Sequence, residues 1–233
     1  MPGLHGTGTL FARLQRAASG LRVSALSYPL DGPQDYAALQ ARLAPELKAR
    51  SGAYVLVAES FAGPLALRVG AEHPRGLAAI VLVNSFVAAP FEKRGFGIAL
   101  RALAAIGAPL LGQIGQAPEA LLRRYMIGDD APEELLREVQ AAVRALPPRV
   151  LAARIRTVLG ANETQAYLHT QLPIFYVRSN QDRLVGEQAL QTLIRLRPGL
   201  QLHRMDGPHL LLQRHPERAL TILHRALDER SVA

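Results

Sequence analysis

Apolar positions along the chain follow two periods, and the changes between them set out the elements. Stretches at 21–28, 54–57, 77–83, 174–178 and 200–205 read as strands, those at 54–57 and 77–83 as continuous apolar runs of buried strands. Between them the spacing turns helical. Leu39, Leu43 and Leu47 mark a helix over 36–50, and others are expected from Ser60 to about Gly70, over 186–196 and over 216–228. Alternating strands and helices are the signature of a parallel sheet wrapped by helices. The rhythm breaks from Val87 to about Thr170, where the spacing is helical throughout. Helices are expected over 98–111, interrupted near Gly107 and Pro109, over 118–126, over 132–146, and from Pro147-Pro148 to near Gly160. That stretch is too long for a loop. The chain therefore divides into a core of 1–86 and 171–233 and a helical cap insertion of 87–170. Ile98, Leu100, Leu103, Ile106, Leu110 and Leu111 form an apolar stripe that either lines a lipid-like pocket or packs as ordinary core.

The strand at 54–57 runs almost directly into Ser60, and a helix follows. Ala58 and Ala62 flank the serine where the G-x-S-x-G elbow has glycines. A serine lifted onto a strained strand-to-helix turn needs small neighbours on both sides, because the backbone there packs against adjacent elements. The plain alternative is a serine between two alanines in an alanine-rich chain. The opening, Pro2 to Gly8, is a glycine-rich loop running into a helix near 10–18. Its glycines permit close backbone approach and N–H donation to an anion. The phosphate-loop pattern G-x-x-x-x-G-K-[ST] is absent.

Composition narrows the chemistry. The chain has no cysteine, which excludes disulfides, thiolate catalysis and Cys-based zinc sites, and no His or carboxylate pair falls at a spacing such as H-E-x-x-H. Neither a cofactor nor a metal is expected. The formal charge is +8, but of the 27 basic residues only Lys48 and Lys93 are lysines, and the arginines are scattered. With aromatic residues at 5%, this points to solvated helix faces rather than a nucleic-acid surface. An acidic carrier protein or a homodimer partner stays open. No leader pattern opens the chain and no apolar segment is long enough to span a bilayer, so a cytoplasmic protein without membrane insertion is expected.

Asp182 and His209 each follow a predicted strand, as Ser60 does. In a wound parallel sheet the carboxyl ends of the strands share one edge, where ligands bind. The order serine, acid, histidine fits nucleophile, orienting carboxylate and base. His215 is the second candidate base; Asp206, Asp129 and Asp130 are the other candidate acids. With P-G-L-H-G-T-G at 2–8, A-E-S-F-A-G at 58–63, N-Q-D-R-L-V at 180–185 and D-G-P-H-L-L-L-Q-R-H-P-E at 206–217, the chain resembles the α/β-hydrolases. The resemblance implies an α/β fold, a doubly wound mostly parallel sheet with an inserted helical cap. It implies Ser60 as nucleophile, His209 as base then acid, and Asp182 as the carboxylate orienting His209. The backbone N–H groups of Phe61 and Leu4 would form the oxyanion hole, with His5 or Gly6 as alternatives to Leu4. The substrate implied is a small-molecule carboxylic ester with a hydrophobic acyl or alcohol part. An acyltransferase or thioesterase would use the same residues, and a non-catalytic binding protein would keep only the fold. Measured against the family, the first strands are missing. The place between the strand at 22–28 and that at 54–57 is then filled by direct pairing, by a partner chain, or by residues preceding the start.

Overall fold

The computed structural model describes residues 1–90 and 118–228. Four strands, β1 (Tyr54–Glu59), β2 (Leu77–Val83), β3 (Ile174–Ser179) and β4 (Gln201–Met205), form one sheet in that order, every neighbouring pair parallel. Because all four run the same way, their carboxyl ends share one edge. Alternation of side chains across the pleat divides the apolar residues between two faces. Leu56, Ile80, Leu82, Ile174 and Tyr176 pack with residues of helices α2 (Tyr36–Lys48), α3 (Ala62–Ala71) and α8 (Glu187–Leu196). Ala79, Val81, Val83, Phe175 and Val177 pack with α1 (Ala12–Ala17) and α10 (Pro216–Asp228). Both faces are covered, as near-continuous apolar runs such as β2 require.

Between β2 and β3 the described chain is helical. α4 (Glu119–Leu122) passes into a single π turn, Arg123–Ile127, and is followed by α5 (Glu133–Arg144), α6 (Pro148–Leu159) and α7 (Thr164–His169). Proline at the start of α6 and acids in the first turn of α5 suit their amino ends. The helix expected over 98–111, with its stripe of Ile98, Leu100, Leu103, Ile106, Leu110 and Leu111, lies outside the described residues. Two short helices had no periodic signal long enough to read, α7 and α9 (Leu211–Arg214).

The strand expected at 21–28 is a correction: those residues form no strand and join no sheet. Their backbone turns to the opening loop instead, with Tyr28 N–H donating to Gly6 C=O at 2.8 Å and Gly8 N–H to Ser27 Oγ at 2.9 Å. Direct pairing of this stretch with β1 does not occur. Met1 stands beside β1, its nitrogen donating to Val57 C=O at 2.7 Å and its carbonyl accepting from Glu59 N–H at 3.2 Å. That is the slanted pattern of a parallel bridge, one residue long.

The junction of β1 and α3 is packed to its limit. A Cβ on Gly63 would stand 1.9 Å from Ser85 Oγ and 2.9 Å from Ser85 Cβ, and that hydroxyl donates to the Ser60 carbonyl. Gly63→Ala should therefore lower the unfolding free energy by about 1–3 kcal/mol in a urea titration. An unchanged midpoint would show that the loop after β2 yields.

Candidate active site

Ser60 occupies the turn between β1 and α3 with φ at +54°, the left-handed region that a side chain adopts only under constraint. Its N–H donates to Val83 C=O at 2.9 Å, and its carbonyl accepts from Gly63 N–H at 3.1 Å. Ala58 and Ala62 are both fully buried, so a larger side chain at either would meet packed neighbours. At the ends of β3 and β4 stand the loops carrying Asp182 and His209. The structure brings the three residues together: His209 Nε2 lies 2.9 Å from Ser60 Oγ, and His209 Nδ1 lies 2.9 Å from Asp182 Oδ1. The other candidates lie elsewhere. Asp206 accepts from Asn180 Nδ2 at the surface, Asp129 and Asp130 face Arg183 and Arg214, and His215 caps the end of α9.

Surroundings decide the charges. Asp182 Oδ1 also accepts from the Leu184 and Val185 N–H groups at 2.8 and 3.1 Å, and Oδ2 faces Arg178 Nη1 at 3.3 Å. Burial works against the Asp182 carboxylate, yet the charge and hydrogen bond of His209 and the two backbone N–H groups outweigh it and hold its pKa below the ordinary value. For His209 burial opposes the imidazolium, while Asp182 and then Glu59 favour it and Arg178 opposes it; the net pKa is raised. An ionised Asp182 makes Nδ1 the protonated nitrogen, leaving the Nε2 lone pair for the serine hydroxyl.

The opening loop passes beside this file. A Cβ on Gly3 would lie 3.6 Å from Ser60 Cβ. Gly3 C=O accepts from Gly6 N–H at 3.0 Å, which removes Gly6 from the candidate donors. In a trans peptide the Leu4 N–H, sharing a plane with Gly3 C=O, must point the opposite way, out of the loop. Among the described residues neither Leu4 N–H nor Phe61 N–H has a protein acceptor. His5 is buried, its Nδ1 accepts from Thr7 N–H at 3.2 Å, and burial with nearby Arg154 pushes its pKa down to about 3, so it stays neutral.

Residues without a motif complete the frame. Asn84, at φ +45° just past β2, donates through Nδ2 to His209 C=O at 2.7 Å and accepts through Oδ1 from Ser179 N–H at 2.7 Å. Arg178 donates to Val185 C=O at 2.6 Å and so fixes the Asp182 loop from within β3. Glu59, fully buried before Ser60, bonds Gln213 at 2.9 Å. The available signal was position: Asn84 and Arg178 lie near the carboxyl ends of buried strands, where polar residues need a reason. No group of three or more His, Cys, Asp or Glu capable of holding a metal occurs among the described residues, and no described helix is long and apolar enough to cross a membrane.

The model of the alpha/beta hydrolase family matches residues 4–221. No curated protein matches the sequence. Solved structures share the fold at low identity. An esterase from Exiguobacterium antarcticum has a TM-score of 0.80 at 13% identity, over 97% of this chain and 90% of that one. A bromoperoxidase from Bacillus anthracis has 0.78 at 15%, over 95% and 88%. A malate-bound thermophilic esterase from Thermogutta terrifontis has 0.70 at 18%, over 96% and 86%.

Arg178 gives the site a testable electrostatic element, since its charge opposes protonation of His209. Arg178→Met should raise the His209 pKa, read from the ring proton in an NMR titration. A midpoint that stays or falls would mean that losing Arg178 loosens the Asp182–His209 bond more than it relieves repulsion.

Proposed function

The chain belongs to the alpha/beta hydrolase family, and from that premise we propose that it is a serine hydrolase cleaving carboxylic esters through an acyl-enzyme. The observation that carries this reading is the continuous file Ser60 Oγ, His209, Asp182, with 2.9 Å at each step. Ser60 Oγ attacks the ester carbonyl as its proton passes to His209 Nε2. The imidazolium so formed is stabilised by Asp182. The tetrahedral oxyanion is received by Leu4 and Phe61 N–H, the second at the start of α3 where helix N–H groups are unpaired. Collapse expels the alcohol, which takes the proton back from His209 and leaves the acyl group on Ser60. Water then attacks that acyl group with His209 as base, and release of the acid restores the hydroxyl. No step calls for a cofactor. Esterases among the structures of the same fold favour an ester as substrate. The apolar stripe in the sequence at 98–111 favours a hydrophobic acyl or alcohol part.

Labelling with a fluorophosphonate, read by mass spectrometry, should modify Ser60 stoichiometrically and spare Ser60→Ala. Hydrolysis of nitrophenyl esters of increasing chain length should fall by about a thousandfold or more in Ser60→Ala and His209→Ala. Absence of labelling at Ser60 would sink the acyl-enzyme reading. Diversion of product to added alcohols or thiols would make the protein a transferase on the same residues.

A further inference from the structure

Glu59 carries a carboxyl with no solvent exposure in the residue before Ser60. Its Oε2 accepts from Gln213 Nε2 at 2.9 Å. Gln213, 1% exposed, belongs to α9, the short helix into which the His209 loop runs. One bond thus joins the residue ahead of the serine to the helix behind the histidine. Asn84, on the His209 carbonyl, holds the same loop from the other side.

This pair has two acceptors left over: Glu59 Oε1 and Gln213 Oε1 are both buried without a partner among the described residues. A carboxylate can only accept, so in the charged form both oxygens stay unsatisfied. Nor is Glu59 in an ion pair with any described Arg or Lys. One proton changes the count. As a carboxylic acid Glu59 gains an O–H donor, and the Gln213 carbonyl is the acceptor already held on the same partner.

We propose that Glu59 is kept as a neutral carboxylic acid in a two-way pair with the Gln213 amide, and that this pair is a positioning device setting His209 against Ser60. The proposal rests on the reading of Ser60 and His209 as the reacting pair. Burial supports it, pushing the Glu59 carboxyl from 4.5 up to about 7 against the opposing Gln213 bond, His209 charge, Met1 amine and Leu212 N–H. The groups that face it are His209 from its loop, Gln213 and Leu212 from α9, Met1 from the opening residues, and Tyr28 from the stretch 21–28, whose own pKa Glu59 raises. The Met1 amine is itself pushed by burial down to about 5, with Glu59 opposing and Arg50 assisting. The proton also serves the base. An ionised Glu59 would raise the His209 pKa further and leave less of it free to accept from Ser60. Because the folded pKa lies above the unfolded one, the stability that the pair contributes is full below about 4.5 and is lost as pH rises through about 7.

Glu59→Gln separates the neutral pair from a working carboxylate, since two facing amides can each donate and accept with no charge to bury. The melting temperatures of variant and wild type should diverge in the variant's favour between about pH 5 and about pH 8. Fluorophosphonate labelling of Ser60 near pH 6.5 should stay within about threefold of wild type in Glu59→Gln and drop at least about tenfold in Glu59→Leu and Gln213→Leu. Wild type gaining stability over Glu59→Gln as pH rises would overturn the proposal, and so would labelling of Glu59→Gln as slow as that of Glu59→Leu. If wild type is not labelled at all, it is the ester reading that fails, and the melting comparison still decides the state of Glu59. That comparison does not depend on the leucine variants folding.

Discussion

Everything at the working edge follows from the backbone of Ser60 being forced to φ +54°. A side chain in that region costs about 1–2 kcal/mol, so the neighbours must hold it there. They do so by hydrogen bonds to its backbone: Val83 C=O accepts from the Ser60 N–H, and Gly63 N–H and the Ser85 hydroxyl donate to its carbonyl. Two of those groups belong to β2 and the loop just past it, so the adjacent strand's register fixes the turn. Asn84 leaves β2 through the same region at φ +45° and reaches across to β3 and to the His209 loop. Two successive strand ends are therefore locked together before any side-chain chemistry begins.

Burial of charge is the second constraint, and the site meets it unequally. Asp182 has three hydrogen bonds to one oxygen and Arg178 on the other. Arg178 in turn lies 3.6 Å from Glu187, which pairs with Arg204 at the surface. A run of alternating charge thus links the interior acid to solvent, and no member of it is left uncompensated. Glu59 has no such run behind it. For a carboxyl in that position the cheaper course is to keep its proton.

Much of this was legible in the sequence, and the reasons are specific. β2 and α10 stand where periodicity put them, because a buried apolar run and a proline-led amphipathic segment have few other readings. Strand-end position combined with order singled out Ser60, Asp182 and His209, which the structure brings within hydrogen-bond reach of one another. The stretch at 21–28 misled, since an apolar stretch that stops at a proline cannot say whether a sheet neighbour exists. The roles of Glu59, Asn84, Arg178 and Gln213 could not be read for a different reason, even where position marked the residue. Each acts through a partner far away in sequence, and no local pattern records such a pairing.

The glycines of the opening loop show the same limit from the other side. Close approach to an anion was the sequence argument for them, but packing accounts for two of the three. Gly6 sits at φ +71°, and a Cβ there would stand 2.0 Å from Arg154 Nη1; a Cβ on Gly8 would stand 2.9 Å from that of Ala25. Arg154 comes from α6, between β2 and β3, is fully buried, and stacks over Tyr28 at 5.4 Å. Burial lowers its pKa only to about 10, so it stays charged. With no carboxylate beside it among the described residues, the guanidinium is satisfied by Gln34 Oε1 and the Leu4 and Pro29 carbonyls. Three consecutive carbonyls of the loop are then each held by a different part of the chain: Pro2 by the Tyr28 hydroxyl, Gly3 by Gly6 N–H, and Leu4 by Arg154. At Gly3 no clash requires a glycine, since a Cβ there would stand 3.6 Å from that of Ser60. A loop so fixed keeps Gly3 against Ser60, and α6, by supplying Arg154, takes part in holding it there.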